Sequence, residues 1–435
     1  MSPEPEAVVA ALGPRPGVVW LDGGQAGARA DGWSIVAWDP VEVATDADAW
    51  PADGRALGRA PSGTPARRGE QGAEAAPFWS GVLGYVGFEA GAAVDAVPAG
   101  RPTPEPPVWL GRFEGALCYR HRDRTWHATG TPEVRATGAA LLERVVNEAR
   151  ALPSPPPPPV GARAHSVPRE SHEAGVRQIL AWIRAGDCYQ VNLTRPVFVA
   201  GVGDAWAAYR RLRQAHAAYG AFLQLTPDCA VLSNSPELLL RIEGTRVLSC
   251  PIKGTRPRGT SELDDRALAE ALAASPKDHA ELTMIVDLVR NDLSRVCEVG
   301  SVRAGPRRLT THPTLHHAVQ GVEGRLMPGR DAWDALAASF PPGSVTGAPK
   351  VRACQRIREL EPHPRGVYCG AIGGVCDTGR AVFNVAIRTG VVAGHDGRYH
   401  VGGGIVADSV PADEWEETEV KARALAAALH GLTRR

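Results

Sequence analysis

Lys253 stands in the run Cys250-Pro251-Ile252-Lys253-Gly254-Thr255, downstream of Glu237 in Ser233-Asn234-Ser235-Pro236-Glu237-Leu238. The apolar run Val247-Leu248-Ser249-Cys250 reads as a buried strand, and Gly254-Thr255 reads as a turn. An amine at a strand end in apolar surroundings can lose its proton and act as a nucleophile. A solvated surface lysine has the same local pattern, so the rest of the chain must decide its meaning.

Two acidic pairs share one spacing. Asp278 and Glu281 lie i, i+3 on a predicted helix, so their carboxylates share a face. Leu282, Ile285, Val286 and Val289 mark its buried side, which Glu281 abuts. Glu414 and Glu417 repeat the spacing behind Pro411. Two such helices could converge on a hard divalent cation such as Mg²⁺. Solvated acids near helix N-termini, favoured by the dipole, are the alternative. In Val401-Gly402-Gly403-Gly404-Ile405 three glycines follow a strand and let backbone amides approach an anion, or simply make a tight turn. The run is not GxGxxG and has no βαβ setting. Arg388, at the end of an apolar strand, could clamp a carboxylate or face solvent. Ser344-Val345-Thr346-Gly347-Ala348-Pro349-Lys350 reads as a turn into a helix, with hydroxyls ready to cap or bind. Together a metal, carboxylate clamps, a lysine and an acid suit a small polyanionic substrate whose leaving group needs a proton.

The elements that must position these residues are those of a large domain or a few smaller ones, in 435 residues of which 44% are apolar. Lys+Arg and Asp+Glu balance at 48 each, which argues against nucleic acid as a partner. The eight cysteines form no CxxC pair, so reduced core thiols are expected. The first residues have no basic or apolar signal regions. No uncharged apolar run reaches the roughly 18 residues that span a bilayer. A cytoplasmic protein without membrane contact is the expectation.

The prolines from Pro153 to Pro159 exclude helix and central strand, so 153–165 reads as an exposed connector. Before it, strands are expected at 18–21, 34–38, 81–88 and 115–119, a mobile loop at 50–76, and a helix at 132–151. After it, Val176, Ile179, Leu180 and Ile183 repeat with helical spacing. Strands are then expected near 188–198, 220–226, 229–233, 237–243, 245–250, 366–376, 380–388 and 398–406. Helices are expected near 204–218, 262–273, 277–296, 331–339, 347–360 and 412–430. Runs of strands with helices outside them indicate an α+β fold with large antiparallel sheets.

The order of motifs resembles the chorismate-utilising enzyme family, which includes anthranilate, aminodeoxychorismate, isochorismate and salicylate synthases. The likeness is carried by Gly186-Asp187-Cys188-Tyr189-Gln190-Val191-Asn192-Leu193, Ser235-Pro236-Glu237, Asp287-Leu288-Val289-Arg290-Asn291-Asp292-Leu293, Gly347-Ala348-Pro349-Lys350 and Gly402-Gly403-Gly404-Ile405-Val406-Ala407-Asp408-Ser409. It extends to Trp38-Asp39-Pro40 and Gly81-Val82-Leu83-Gly84-Tyr85 in the first half. The resemblance implies an anthranilate synthase component I-like fold, with antiparallel sheets in a sandwich flanked by helices. It implies an N-terminal subdomain over 1–152 and a chorismate-binding catalytic region over 166–430.

Within that family an alanine is usual where this chain has Lys253, and the lysine is similar to the nucleophile of the enzymes that aminate chorismate. Enzymes that add water carry a lysine base where this chain has Gln190, and an amide cannot accept a proton at neutral pH. The resemblance therefore implies amination at C4 to 4-amino-4-deoxychorismate, on the way to 4-aminobenzoate and folate. It implies Lys253 as nucleophile and Glu237 as acid. It implies Mg²⁺ held by Glu281 and Glu417, with Asp278 and Glu414 acting through waters. Arg388 and Tyr368 would bind the enolpyruvyl carboxylate, Gly402 and Gly404 would offer backbone amides, and Thr346 and Lys421 would line the site. His317 matches a family histidine near the ring, although His317-Ala318-Val319-Gln320 departs from the usual run. No Gly-x-Cys-x-Gly elbow is present, so ammonia is expected from a separate glutamine amidotransferase subunit. The part around Ser34 is similar to a tryptophan-holding region of the family. Anthranilate synthase component I, and a non-catalytic chorismate or tryptophan binder that regulates an amidotransferase, are the alternatives.

Overall fold

Side-chain alternation in the strands sets the architecture. In the strand Val19–Asp22, Val19 enters one apolar core and Trp20 another on the opposite face, as a period of two requires. The strand Gly81–Val86 does the same, with Leu83 and Tyr85 on one side and Val82 and Val86 on the other. A computed structural model describes residues 2–23, 32–58, 76–94, 98, 101–148, 152–159, 163–311 and 315–431.

Two antiparallel sheets result. The first runs in the order Gly347–Ala348, Gln190–Ala200, Asp396–Ile405, Thr389–Ala393, Cys229–Ser235, Tyr219–Thr226, Val19–Asp22, Trp33–Ala37, Leu117–Arg120 and Thr125–Ala128. The second runs Ile252–Pro257, Leu315–Arg325, Arg246–Cys250, Leu238–Glu243, Ala381–Val385, Ala371–Cys376, Gly81–Val86, Val108–Phe113 and Glu42–Ala44. Arg163–Ser166 adds to Gln190–Ala200, and Arg303–Thr311 to Leu315–Arg325. Val19, Ala221, Leu223 and Val231 of the first sheet share a core with Leu83, Trp109, Phe113 and Ile372 of the second, which makes a sandwich. Helices cover the outer faces. Ala205–Leu212 and Pro411–Leu429 pack on the first sheet, and Pro276–Ser294 and Ala332–Ser339 on the second. The expected α+β class holds.

The first half does not stand apart. Val19–Asp22 pairs with Tyr219–Thr226, and Gly81–Val86 pairs with Ala371–Cys376. The proline run lies along the helix Ala205–Leu212, where Arg211 Nη1 donates to Pro156 O at 2.7 Å and Arg210 donates to Pro153 O. Regular structure resumes at Arg163–Ser166, inside the span expected as connector.

Other expectations shift for local reasons. The helix expected from 347 starts at Lys350, because Pro349 disfavours helical geometry at Ala348; Gly347–Ala348 instead pairs with Gln190–Val191. Within 50–76, Trp50–Leu57 is a helix anchored by buried Trp50, whose Nε1 donates to Ala90 O at 3.1 Å; residues 59–75 lie outside the described residues. The helix expected at 132–151 is seen as Pro132–Glu148, with 149–151 likewise outside. Gly254-Thr255 is not a free turn. It lies in the strand Ile252–Pro257, whose register against Leu315–Arg325 breaks between Lys253 and Thr255 at Gly254, with φ of 75°. The bulge turns the side chains around it.

Candidate active site

Glu237 and Arg388 occupy adjacent crossings from one sheet to the other. Cys229–Ser235 belongs to the first sheet and Leu238–Glu243 to the second, so Ser235-Pro236-Glu237 is the corner between them. Ala381–Val385 returns to the first sheet as Thr389–Ala393 through Ala386-Ile387-Arg388. The two corners are tied by Val385 N to Glu237 O at 3.0 Å and Asn234 N to Arg388 O at 3.1 Å. Ser235 fastens them further, donating to Val385 O at 2.6 Å and accepting from Glu237 N at 3.2 Å.

Glu237 is 4% exposed. Burial raises its pKa to about 7, against the lowering pull of the Ser344 hydroxyl, of Lys253 and of the Ile252 amide. Arg388 adopts φ of 51°. Burial lowers the pKa of its guanidinium, and no carboxylate offsets that among the described residues. A desolvated cation without a partner is what an incoming carboxylate would pair with.

Lys253 meets this corner from the bulged strand. Its Nζ donates to Ser344 O at 3.4 Å. Ser344 therefore lies beside both groups: its carbonyl accepts from Lys253, and its hydroxyl favours the charged form of Glu237. Burial lowers the pKa of Lys253, while Glu281 raises it, Lys421 lowers it, and Glu237 and Glu417 raise it. The glycine strand Asp396–Ile405 forms the floor. A Cβ at Gly404 would lie 2.5 Å from Gln190 Nε2 and 3.4 Å from Lys253 Nζ. A Cβ at Gly403, on the opposite face, would lie 3.1 Å from Glu414 Oε2 and 3.3 Å from Glu417 Oε1. Only glycine leaves room for polar groups on both sides of one strand.

The four acids come from two helix starts. Glu414 accepts from Ser409 Oγ at 2.6 Å, and burial raises its pKa. Glu417 pairs with Lys421 Nζ at 2.6 Å, which lowers its pKa. Burial raises the pKa of Glu281, while Lys253 and Lys277 pull it down and Asp278 and Glu417 push it up. Asp278 pairs with Arg256 Nη2 at 2.9 Å. Among the described residues no three carboxylate, imidazole or thiol groups are gathered around one point. Glu414 and Glu417 side by side at Gly403, with Glu281 within electrostatic reach of Glu417, nevertheless suit a hard divalent cation that keeps waters and substrate as its other ligands.

The profile of chorismate binding enzymes matches residues 19–427, across both halves of the chain. The chain belongs to the chorismate binding enzyme family. The aminodeoxychorismate synthase of Streptomyces griseus is 43% identical over 361 residues, which cover 80% of this chain and 50% of that one. The chain thus spans half the length of that relative. Aminodeoxychorismate synthase component 1 of Salmonella typhimurium is 38% identical, covering 79% of this chain and 75% of its own. Anthranilate synthase component 1 of Thermus thermophilus is also 38% identical, covering 80% and 77%. The solved anthranilate synthase component I of Streptococcus pneumoniae superposes with a TM-score of 0.77 over 92% of this chain and 93% of that one, at 26% identity. The expected sandwich is therefore the fold of the family.

Lys421 also donates to Gly402 O at 2.9 Å, so it links the glycine strand to the acidic helix. His317 is buried opposite Thr255, with Nδ1 and Thr255 Oγ1 3.0 Å apart. Thr346 is fully buried and its hydroxyl is directed to Pro342 O and Gly343 O, so it closes the turn that presents Ser344. Tyr368 is buried with its ring stacked on His400, centroids 5.5 Å apart.

Sequence reasoning missed several supports. Ser344 is legible in the sequence only as one of the hydroxyls of a turn into a helix, not as the acceptor for Lys253. The pair Lys350–Asp292, at 2.8 Å and 7% and 4% exposed, ties the start of the helix Lys350–Leu360 to Pro276–Ser294. Buried Arg365 pairs with Glu361 at 2.7 Å and donates to Val345 O and Asn192 O at 2.8 Å, joining the Ser344 turn to the first sheet. Breaking a buried pair leaves one charge uncompensated. Lys350→Met is expected to destabilise the fold by about 3–5 kcal/mol, read as a lower urea midpoint. A midpoint equal to wild type would contradict a structural role. Among the described residues no helix is long and apolar enough to cross a membrane.

Proposed function

We propose that this chain is the chorismate-aminating component of an aminodeoxychorismate synthase, in the path to 4-aminobenzoate and folate. The observation that carries the reading is the placing of Lys253 beside Glu237: each acts on the charge of the other, burial lowers the pKa of the amine and raises that of the acid, and Lys253 Nζ donates to Ser344 O next to them. Neutral Lys253 attacks C2 of chorismate while Glu237 protonates the departing 4-hydroxyl. The Nζ–C2 bond forms, two ring double bonds shift, and the C4–O bond breaks with water as leaving group. Ammonia then bonds to C4, the double bonds return, the Nζ–C2 bond breaks, and Glu237 takes back a proton. Arg388 and Lys421 supply positive charge for the carboxylates, with Tyr368, Thr346, His317 and the amides of Gly402 and Gly404 shaping the pocket. Mg²⁺ bound through Glu281 and Glu417, with Asp278 and Glu414 acting through waters, would hold the ring carboxylate and polarise the conjugated system. The name component 1, carried by relatives such as that of Salmonella typhimurium, supports a separate partner component, which in this reading is the glutamine amidotransferase that supplies ammonia.

Purified protein with chorismate, ammonia and Mg²⁺ is expected to form a product that an added lyase converts to 4-aminobenzoate. Anthranilate synthase names among the relatives supply the competing outcome. Anthranilate and pyruvate formed without the lyase would replace this reading with that one.

The pH dependence follows from the two groups. Glu237 works protonated, so its competent fraction falls as pH rises through about 7. Lys253 works neutral, so its competent fraction falls as pH drops through its lowered pKa. At fixed free ammonia the rate is expected to be bell-shaped, and Glu237→Gln should lose the alkaline limb along with most of the rate. The raised pKa also means that ionising Glu237 costs stability as pH climbs from the unfolded carboxyl value through about 7. Glu237→Gln should therefore gain thermal stability over wild type at pH 8 and little at pH 5. Equal gains at both values would show that the carboxyl is not held protonated by the fold.

A further inference from the structure

Gln190 is fully buried, and neither Oε1 nor Nε2 has a hydrogen-bond partner among the described residues. A buried carboxamide with both ends unsatisfied costs free energy that the strand Gln190–Ala200 would avoid by holding an apolar residue. The amide is not turned into the core. It abuts the face of Gly404 that Lys253 Nζ also approaches. Among the described residues Lys253 has one acceptor, Ser344 O at 3.4 Å. Bonding of its amine to carbon leaves a secondary ammonium with two N–H donors, so one donor needs a second oxygen. A half-turn of the carboxamide exchanges Nε2 and Oε1 and presents that oxygen.

We propose that Gln190 is a positioning residue for Lys253: its Oε1 accepts the second N–H of the ammonium that forms when Nζ bonds to C2 of the substrate. The inference rests on the covalent role of Lys253 proposed above. In that step the Nζ lone pair makes the N–C2 bond, the ring electrons shift, and the C4–O bond breaks as Glu237 gives up its proton. No atom of Gln190 changes bonding. Its amide has no partner among the described residues before the step and gains one in it, so the contact favours the adduct over the bound ground state. An amide suits this place because it accepts a hydrogen bond without adding a negative charge that would hold Lys253 protonated.

Gln190→Met, of similar length and without an acceptor, is the test, with Gln190→Glu as partial rescue. The first readout is the rate of chorismate adduct formation at Lys253 without ammonia, followed by peptide mass, beside chorismate affinity measured by calorimetry. Gln190→Met is expected to slow adduct formation about 100-fold with affinity changed by less than about 3-fold. Gln190→Glu should recover part of the rate at alkaline pH. The second readout is carbamylation of Lys253 by cyanate, in which the neutral amine attacks isocyanic acid without substrate and passes through an ammonium with the same two N–H donors, so it should slow in Gln190→Met. An unchanged adduct rate, or a loss that resides wholly in chorismate affinity, would overturn the proposal. A wild-type protein that forms no adduct, while its cyanate labelling still depends on Gln190, would overturn the amination mechanism and leave the hold of Gln190 on Lys253 standing. Thermal unfolding of the variants separates these outcomes from misfolding.

Discussion

Lys253→Met is expected to lower ammonia-dependent turnover of chorismate by roughly 10³–10⁴-fold, while chorismate still binds. The methionine keeps most of the length and apolar contact of the side chain but has no lone pair to donate to carbon. Bond formation at C2, not ground-state binding, is what the substitution removes. The burial that lowers the pKa of this amine makes the neutral side chain easy to accommodate, so the fold should persist. Stopped assays with added lyase would give the rate, and calorimetry the affinity. Turnover within 10-fold of wild type would remove Lys253 from the chemistry and leave Glu237 as an acid acting with ammonia alone.

Glu281→Ala and Glu417→Ala are each expected to weaken Mg²⁺ binding by more than about 100-fold and to abolish Mg²⁺-dependent turnover. The geometry gives the two losses different characters. Glu417 is paired with Lys421, so its removal frees an ammonium beside the Gly402 carbonyl. Glu281 is half-buried and lies among Lys253, Lys277, Asp278 and Glu417. Its removal strips negative charge from next to Lys253 and should lower the pKa of that lysine further. Calorimetric titration with Mg²⁺ in the absence of chorismate reads the site directly. Wild-type affinity in either variant would refute the carboxylate assignment.

The residues that could do chemistry were more legible than their scaffold. Glu237, Lys253, Arg388 and the glycines could be picked out because a charged or flexible residue against a strand is a local anomaly. What brings Glu237 and Arg388 together is two crossings between sheets, and no local pattern records which sheet a strand joins. The strands Arg303–Thr311 and Leu315–Arg325 went unrecognised. Pro306, Arg307 and Arg308 interrupt any alternation, and Arg307 is engaged in holding Leu272 O and Ala273 O of the helix Glu262–Ala274. Without them, Lys253 lacked its partner strand and the bulge at Gly254 read as a turn. Arg256 escaped notice because its partner, Asp278, comes from another element.

The stitching of the first half into both sheets bears on how this molecule can be divided. The proline run looks like a natural place to cut, yet a fragment beginning beyond it would leave Tyr219–Thr226 and Ala371–Cys376 with bare edges in two different layers. Such open ladders recruit other chains. The missing piece would have to be supplied as a separate polypeptide that inserts twice, so the two parts behave as halves of a zipper and not as beads on a string.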